Sequence, residues 1–539
     1  MRRILILQTA RMGDLVQTLP LLQRLRQEHP QARLSLLARD PFAQLLLQKG
    51  FVDHLFLVPD PLWNPLADPT SPNPPPPPQL PSDSLPDAPF DLLVNLSTNR
   101  AAAFLAEQIP AARKWGRLPA PEGELRLLGP WTKTIFALVT DRWSNLFNLV
   151  DLHLGIAGLN PSPQAPALLP SPEERARGEA LLARFGRRPG RKLVALQTGA
   201  SDLSRAWSAT HFSALAQALQ RQIDADILLI GSPNERARSE EVAAPLARPP
   251  LNLVGETSLP ELLPVLAQCD LLISNDTGPI HLAAACATPT LGLYFSTAYY
   301  AETAPYGENQ TILQVEIPCA PCSTLHPCPQ QRCREPLSPE PVTAAALWIL
   351  SGASATEAPP PAADLSLYRS QFTADGTLLY LPVHPDKASP QFLTGLARRL
   401  LWGPSLGLPP NPALHPFLAR WKNHPLFQEI LARDAALFGH LSPLLQRGFR
   451  ASEQLQSEFS NPRRTLPKIQ ALHQELTRVE SELLQIAETG GAYGAMLRYE
   501  FMDLPFEPFP QLAETLKLKY QSLRRRNDSL QTALQSLPA

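Results

Sequence analysis

Short, continuous apolar runs recur along the first two thirds of the chain, and apolar residues at three- and four-residue spacing fill the intervals between them. Ile4 to Leu7 is the first such run, and Leu15, Leu19 and Leu22 follow it at helical spacing. A run with no polar alternation fits a parallel strand buried on both faces, and the spaced leucines fit the crossover helix after it. Further strands are expected at Leu34–Ala38 and Asp91–Leu96, and then at Leu193–Leu196, Ile227–Ile230, Leu271–Ser274 and Thr290–Tyr294. Phe212, Leu215, Ala216 and Leu219 share one helical face, as do Leu259, Leu262 and Leu266. Strands alternating with helices in two successive blocks predict an α/β protein with two parallel-sheet domains and a cleft between them.

The pattern changes beyond about residue 365. Asp375-Gly376 between apolar runs in Tyr368–Val383 is a hairpin signal. Ile469, Leu472, Leu476, Val479, Leu483 and Ile486 then alternate three and four apart, and Leu516, Leu523, Leu530 and Leu537 repeat every seven. That is a heptad seam, suited to an antiparallel helical hairpin or to self-association through a coiled coil. Gly490 and Gly491 are placed to end the first of these helices. The whole segment is expected to be mainly helical, without chemistry of its own.

Proline punctuates these blocks. The chain has 539 residues, of which 61 are proline, concentrated in a few stretches. Residues 59–89, with five consecutive prolines from Pro74 to Pro78, fit a surface insertion in the first domain. Pro161 to Pro172 and residues 354–364 fit linkers. The expected division is therefore 1–165, 166–353, a linker at 354–364 and a helical extension at 365–539.

Charge adds little. Net charge is −1, and the charged residues, 18% of the total, show no global reason to bind nucleic acid. The apolar run after Met1-Arg2-Arg3 is too short for a signal peptide, and no run approaches the roughly 18 apolar residues of a membrane helix. A cytoplasmic protein is expected, with any contact to the inner membrane peripheral.

Four loops carry candidate chemistry, each at the carboxyl end of an expected strand, where open parallel sheets bind ligands. Asp276-Thr277-Gly278-Pro279-Ile280-His281 runs into an Ala-rich helix. Its free N–H groups and dipole suit a pyrophosphate, and Gly278 allows close backbone approach. Asp276 as a helix cap and His281 as a packed core residue fit the same pattern. Thr198 and the loop Gly199 to Trp207 present Arg205, suited to forked phosphate contact, or to solvent exposure beside a packing tryptophan. Gly13-Asp14 offers a carboxylate for general-base work or for capping. Gly231 to Glu235 places a carboxylate where ribose hydroxyls bind in dinucleotide folds, or on an ordinary surface turn. Asp224-Ala225-Asp226 has metal-binding spacing but lies at the opposite end of its strand.

Together and in this order, Gly13-Asp14 with Thr18-Leu19-Pro20, Gly199 to Trp207, Gly231 to Glu235, and Asp276-Thr277-Gly278 with His281 resemble glycosyltransferase family 9, the ADP-heptose:lipopolysaccharide heptosyltransferases. The resemblance spans about residues 1 to 350. It implies a GT-B fold, with the acceptor on the amino-terminal domain, beside Gly13, and the donor on the second. Asp14 is implied as catalytic base; Thr198, Arg205, Glu235, Asp276, Thr277, Gly278 and His281 are implied on the donor side. Arg205 replaces the usual phosphate-contacting lysine. Transfer from a nucleotide sugar, ADP-heptose, to a glycolipid or glycan of the lipopolysaccharide core would invert the anomeric centre, with no cofactor and no catalytic metal. The proline insertion and the extension depart from the family pattern on the acceptor side and at the carboxyl end. A nucleotide-sugar epimerase of similar fold, and a catalytically lapsed nucleotide-sugar-binding assembly protein, are the alternatives.

Six cysteines complete the inventory. Cys269 and Cys286 read as small buried hydrophobes. Cys319, Cys322, Cys328 and Cys333 cluster tightly enough for a structural zinc site, although reduced thiols or transient disulfides fit the same spacing.

Overall fold

A computed structural model describes residues 1–58, 89–119, 125–138, 142–322, 328, 330–354, 357–406, 408, 423–461, 465–489 and 509–536. The proline insertion, apart from residue 89, the Gly490-Gly491 helix stop and Leu537 lie outside the described residues.

Two sheets organise the first 382 residues. The first holds β1 (Arg3–Gln8), β2 (Arg33–Ala38), β3 (His54–Leu57), β4 (Leu92–Asn95), β5 (Lys114–Pro119) and β6 (Leu125–Leu128), in the order β3-β2-β1-β4-β5-β6. All neighbours are parallel except β5 and β6. The second holds β7 (Leu193–Gln197), β8 (Asp226–Ile230), β9 (Leu251–Asn252), β10 (Leu271–Asn275), β11 (Thr290–Tyr294), β12 (Thr311–Val315), β13 (Leu365–Phe372) and β14 (Leu378–Pro382). Its order is β14-β13-β12-β11-β10-β7-β8-β9. The run from β9 to β12 has the doubly wound order, in which the chain turns back between β7 and β10; in the first sheet it turns back between β1 and β4. Two Rossmann-like sheets with their reversal points facing one cleft make the GT-B arrangement.

The strands form because their residues are apolar on both faces. Ile4, Leu5, Ile6 and Leu7 are all buried, as are Leu193 to Leu196 and Leu271 to Ile273. Crossover helices then cover each face. The hairpin expected around Asp375-Gly376 is present, and it belongs to the second sheet: β13 pairs antiparallel with β12 and with β14. The sheet therefore continues past the linker at 354–364.

The extension after the hairpin is helical, with helices Pro390–Trp402, Pro425–Ser460, Leu466–Thr489 and Phe509–Ser536. The heptad seam closes within the chain. Leu476, Val479 and Leu483 are buried together with Leu441 and Leu445 of the second helix and Leu516, Tyr520 and Leu523 of the fourth.

Polar ties fix the domains to each other. Arg142, from the first domain, holds Glu302 through Nε and Nη2 and also donates to the carbonyls of Thr297 and Cys322 at 2.9 and 3.1 Å. Arg399, from the extension, donates to the Leu146 carbonyl at 3.0 Å. Among the described residues, no helix is long and apolar enough to cross a membrane.

Candidate active site

The helix Met12–Glu28 starts directly after β1, and the helix Gly278–Ala285 starts directly after β10. Their first turns meet at the cleft. A Cβ built on Gly278 would lie 2.2 Å from Met12 Cε, and one on Gly13 would lie 3.0 Å from His281 Cδ2. Two helix N-termini with small residues at the contact leave backbone N–H groups accessible from the gap, which is electrostatic ground for an anion.

The cleft between the domains encloses about 880 Å³. Gly13, Asp14, Arg205, Glu235, Asp276, Thr277, Gly278 and His281 all line it. Four segments far apart in sequence thus deliver their marked residues to one space. Thr198 stands behind the wall instead. It is buried at the end of β7, and its carbonyl accepts from Arg238 Nε at 2.8 Å and Asn275 Nδ2 at 3.3 Å. Its place in the site is that of a backbone anchor.

Asp14 occupies the third helical position, where its carboxylate accepts from the Arg11 backbone N–H at 3.2 Å. The capping geometry is therefore real, and the side chain also lines the cleft. Burial pushes its pKa up to about 6, and the nearby carboxylate of Asp276 adds to the rise. A carboxylate tuned near 6 is ionised at neutral pH yet basic enough to take a proton from a hydroxyl.

Asp276 is held by three partners. Tyr294 Oη and Thr303 Oγ1 donate to it at 3.3 Å each, and Arg205 Nη1 lies 3.3 Å away. Thr277, not Asp276, occupies the N-cap position, and its side chain makes no capping hydrogen bond, so the capping role considered for Asp276 is not taken up. Burial raises its pKa, while Arg205 opposes the rise. Arg205 is partly exposed but not free, because one side of its guanidinium serves Asp276 and the other donates to Ser201 Oγ at 3.2 Å.

His281 is buried, and its Nδ1 has no hydrogen-bond partner. Burial lowers its pKa to about 4, so the ring is neutral at physiological pH. Glu235 closes a capping box with Ser232, and its Oε1 accepts from Gln197 Nε2 at 3.0 Å. A Cβ at Gly199 would lie 1.5 Å from Glu235 Oε1, so only glycine leaves room for this carboxylate. Trp207 is buried as packing, with Nε1 donating to the Leu337 carbonyl at 2.7 Å. Asp224 and Asp226 are engaged by Arg191, Arg248 and Arg187.

Sequence reasoning assigned no role to three residues of this site. Arg11 reaches across the cleft to Ser201 Oγ at 2.5 Å, so two guanidiniums converge on one hydroxyl. Asn275 ties the β7 and β10 loops together, donating to the Gly199 carbonyl at 2.9 Å and accepting from the Trp207 N–H at 3.0 Å. Thr303 ends the short helix Tyr300–Thr303, which carries no motif. Arg11 and Asn275 sat beside marked residues and were legible as polar groups at strand ends; Thr303 had no such signal.

Fold and cleft define a class, a two-domain α/β protein whose cleft is bordered by the N-termini of two helices. The family model of glycosyltransferase family 9 (heptosyltransferase) matches residues 83–331, which bears out the resemblance drawn from the motifs. The match takes in the Arg205, Glu235 and Asp276 loops; Asp14 lies before it. Lipooligosaccharide heptosyltransferase 2 of Campylobacter jejuni is 31% identical over 162 residues, 29% of this chain and 50% of that protein. Lipopolysaccharide heptosyltransferase 3 of Escherichia coli K12 is 25% identical over 297 residues, 53% of this chain and 80% of that protein. The chain spans about half the length of the first curated relatives it matches. Among solved structures, Escherichia coli ADP-heptose LPS heptosyltransferase II aligns with a TM-score of 0.46 at 18% identity, covering 65% of this chain and 99% of that one.

Proposed function

We propose that this protein is an inverting glycosyltransferase that moves a sugar, heptose from ADP-heptose, onto a lipopolysaccharide-core or related glycan acceptor. The observation that carries the reading is Asp14: a carboxylate on the first domain, with a pKa of about 6, lining a cleft whose opposite wall is a helix N-terminus with a glycine in its first turn. The heptose assignment rests on the curated relatives, which are named heptosyltransferases.

The donor's diphosphate would sit at the start of the helix Gly278–Ala285, against the N–H groups there and within reach of Arg205 and Arg11. These groups stabilise the charge that develops on the leaving diphosphate. Glu235 would accept from ribose hydroxyls, and neutral His281 would border the sugar. Asp14 would take the proton of the acceptor hydroxyl as that oxygen attacks the anomeric carbon from the face opposite the diphosphate. One displacement then gives inversion.

The test is transfer from ADP-heptose to deacylated lipopolysaccharide core, with the product's anomeric configuration read by NMR. The reading expects inversion, and a loss of about 10²–10⁴ in kcat for Asp14→Asn with donor affinity nearly unchanged. Retention of configuration, or full turnover in Asp14→Asn, overturns it.

A further inference from the structure

Three residues that line the domain cleft each carry a buried polar atom with no hydrogen-bond partner among the described residues: Gln197 Oε1, His281 Nδ1 and Gln17 Nε2. Leaving such an atom unpaired costs about 1–3 kcal/mol, so three of them at one cleft point to a ligand that pairs them. Gln197 and His281 stand on the donor wall. Gln17 stands on the first domain and faces the acceptor side.

Gln17 follows Asp14 by three residues in the helix Met12–Glu28, so the two side chains share a helix face, and both line the cleft. Only 3% of Gln17 is exposed. The backbone around it is fixed: Thr18 Oγ1 donates to the Asp14 carbonyl at 2.8 Å, and His153, from the helix Leu149–Ile156, donates to the Gln17 carbonyl. Its neighbours Leu15, Val16, Leu19 and Leu21 are all buried apolar residues, so packing alone does not call for an amide here. The carboxamide offers N–H donors where ionised Asp14 offers only acceptor oxygens. Asp40 lines the same wall, and Arg11, its cation among the described residues, is turned across the gap onto Ser201. Two carboxylates on one wall repel an anionic group, so the ligand atom that meets the amide is an uncharged oxygen.

We propose that Gln17 is an acceptor-binding residue: its amide N–H donates to a hydroxyl or ring oxygen of the acceptor sugar, beside the hydroxyl that Asp14 deprotonates. This rests on the glycosyltransferase reading above. A donor and an acceptor one helical turn apart read two neighbouring oxygens at once. The attacking hydroxyl gives its proton to Asp14, and the adjacent oxygen accepts from Gln17. The pair orients the sugar so that one hydroxyl, and not its neighbour, faces the anomeric carbon.

The test is steady-state transfer from saturating ADP-heptose to deacylated lipopolysaccharide core by the full chain, with ADP affinity by calorimetry and Tm measured alongside. Gln17→Leu should raise the KM for the core about tenfold, leave ADP affinity unchanged, and leave Tm equal to or above the parent's, since it removes an unpaired buried amide. Gln17→Glu keeps the shape but exchanges the donor for an acceptor, and should raise that KM at least as much. A KM for the core that is unchanged in Gln17→Leu overturns the inference alone, as does ADP affinity that falls by the same factor as the KM rises. No transfer by the unsubstituted protein overturns the glycosyltransferase reading, and the inference with it.

Discussion

Gly13 and Gly278 stand against each other across the domain cleft: a Cβ on Gly13 would lie 3.5 Å from Gly278 Cα. This contact sets the separation of the two helix N-termini. A Cβ at Gly278 would meet the terminal methyl of Met12, which can swing away, so the fold should tolerate alanine there. The added methyl would still intrude on the anion position. Gly278→Ala is expected to shift Tm by no more than a few degrees while weakening donor binding at least about tenfold, a cost of about 1.4 kcal/mol. Unchanged affinity by calorimetry would move the diphosphate away from this helix.

Asp14 makes two predictions with opposite consequences. As the base it must be ionised, so the rate should rise with pH through about 6 and level off above it. The same raised pKa works against stability. The folded group binds its proton more tightly than the unfolded one, whose ordinary value is 3.8, so stability falls as pH rises from about 4 to 6 and stays lower above. Asp14→Asn removes a cost of about 1–3 kcal/mol at pH 7.5. The variant should unfold at higher denaturant concentration at pH 7.5 than the parent, with the gain gone near pH 4. A variant less stable than the parent at pH 7.5 contradicts this account.

Arg205 neutralises Asp276 before any donor arrives. Arg205→Ala is expected to weaken donor binding by about 10–100-fold, as for loss of a charged hydrogen bond of about 1.5–3 kcal/mol. Arg205→Lys restores the charge but not the fork that reaches both Asp276 and Ser201, and should fall between the two. Equal affinities across the three proteins would remove Arg205 from the phosphate site.

The Arg142–Glu302 pair ties the domains at 2.6 Å, and both side chains are largely covered. Arg142→Met leaves Glu302 buried without its cation and should destabilise by about 3 kcal/mol. Adding Glu302→Gln should recover part of that loss in chemical denaturation. A double variant no better than the single one would show that the carboxylate is not what the arginine serves.

Much of this was legible in the sequence because parallel strands buried on both faces are written as continuous apolar runs. Ile4–Leu7, Leu193–Leu196, Ile227–Ile230 and Thr290–Tyr294 all fall inside observed strands. β3, β5, β6, β9 and β12 were not expected: Lys114–Pro119 carries half-exposed residues and lacks such a run, Leu251–Asn252 is very short, and the apolar stretches within β3 and β12, Leu55–Leu57 and Ile312-Leu313, are shorter than those read as strands. The hairpin β13–β14 was read, but its attachment to β12 depends on contacts across some 50 residues of chain, which local pattern does not encode. The site residues at strand ends were visible for the same reason as the strands. Their partners were not, because Tyr294, Thr303 and Ser201 reach Asp276 and Arg205 only after the sheet has ordered its loops.

Calorimetric titration of the full chain with ADP-heptose, with UDP-sugars run in parallel, tests the central claim most directly. The account predicts one ADP-heptose bound per chain, with UDP-sugars weaker. No detectable binding of any nucleotide sugar would contradict it.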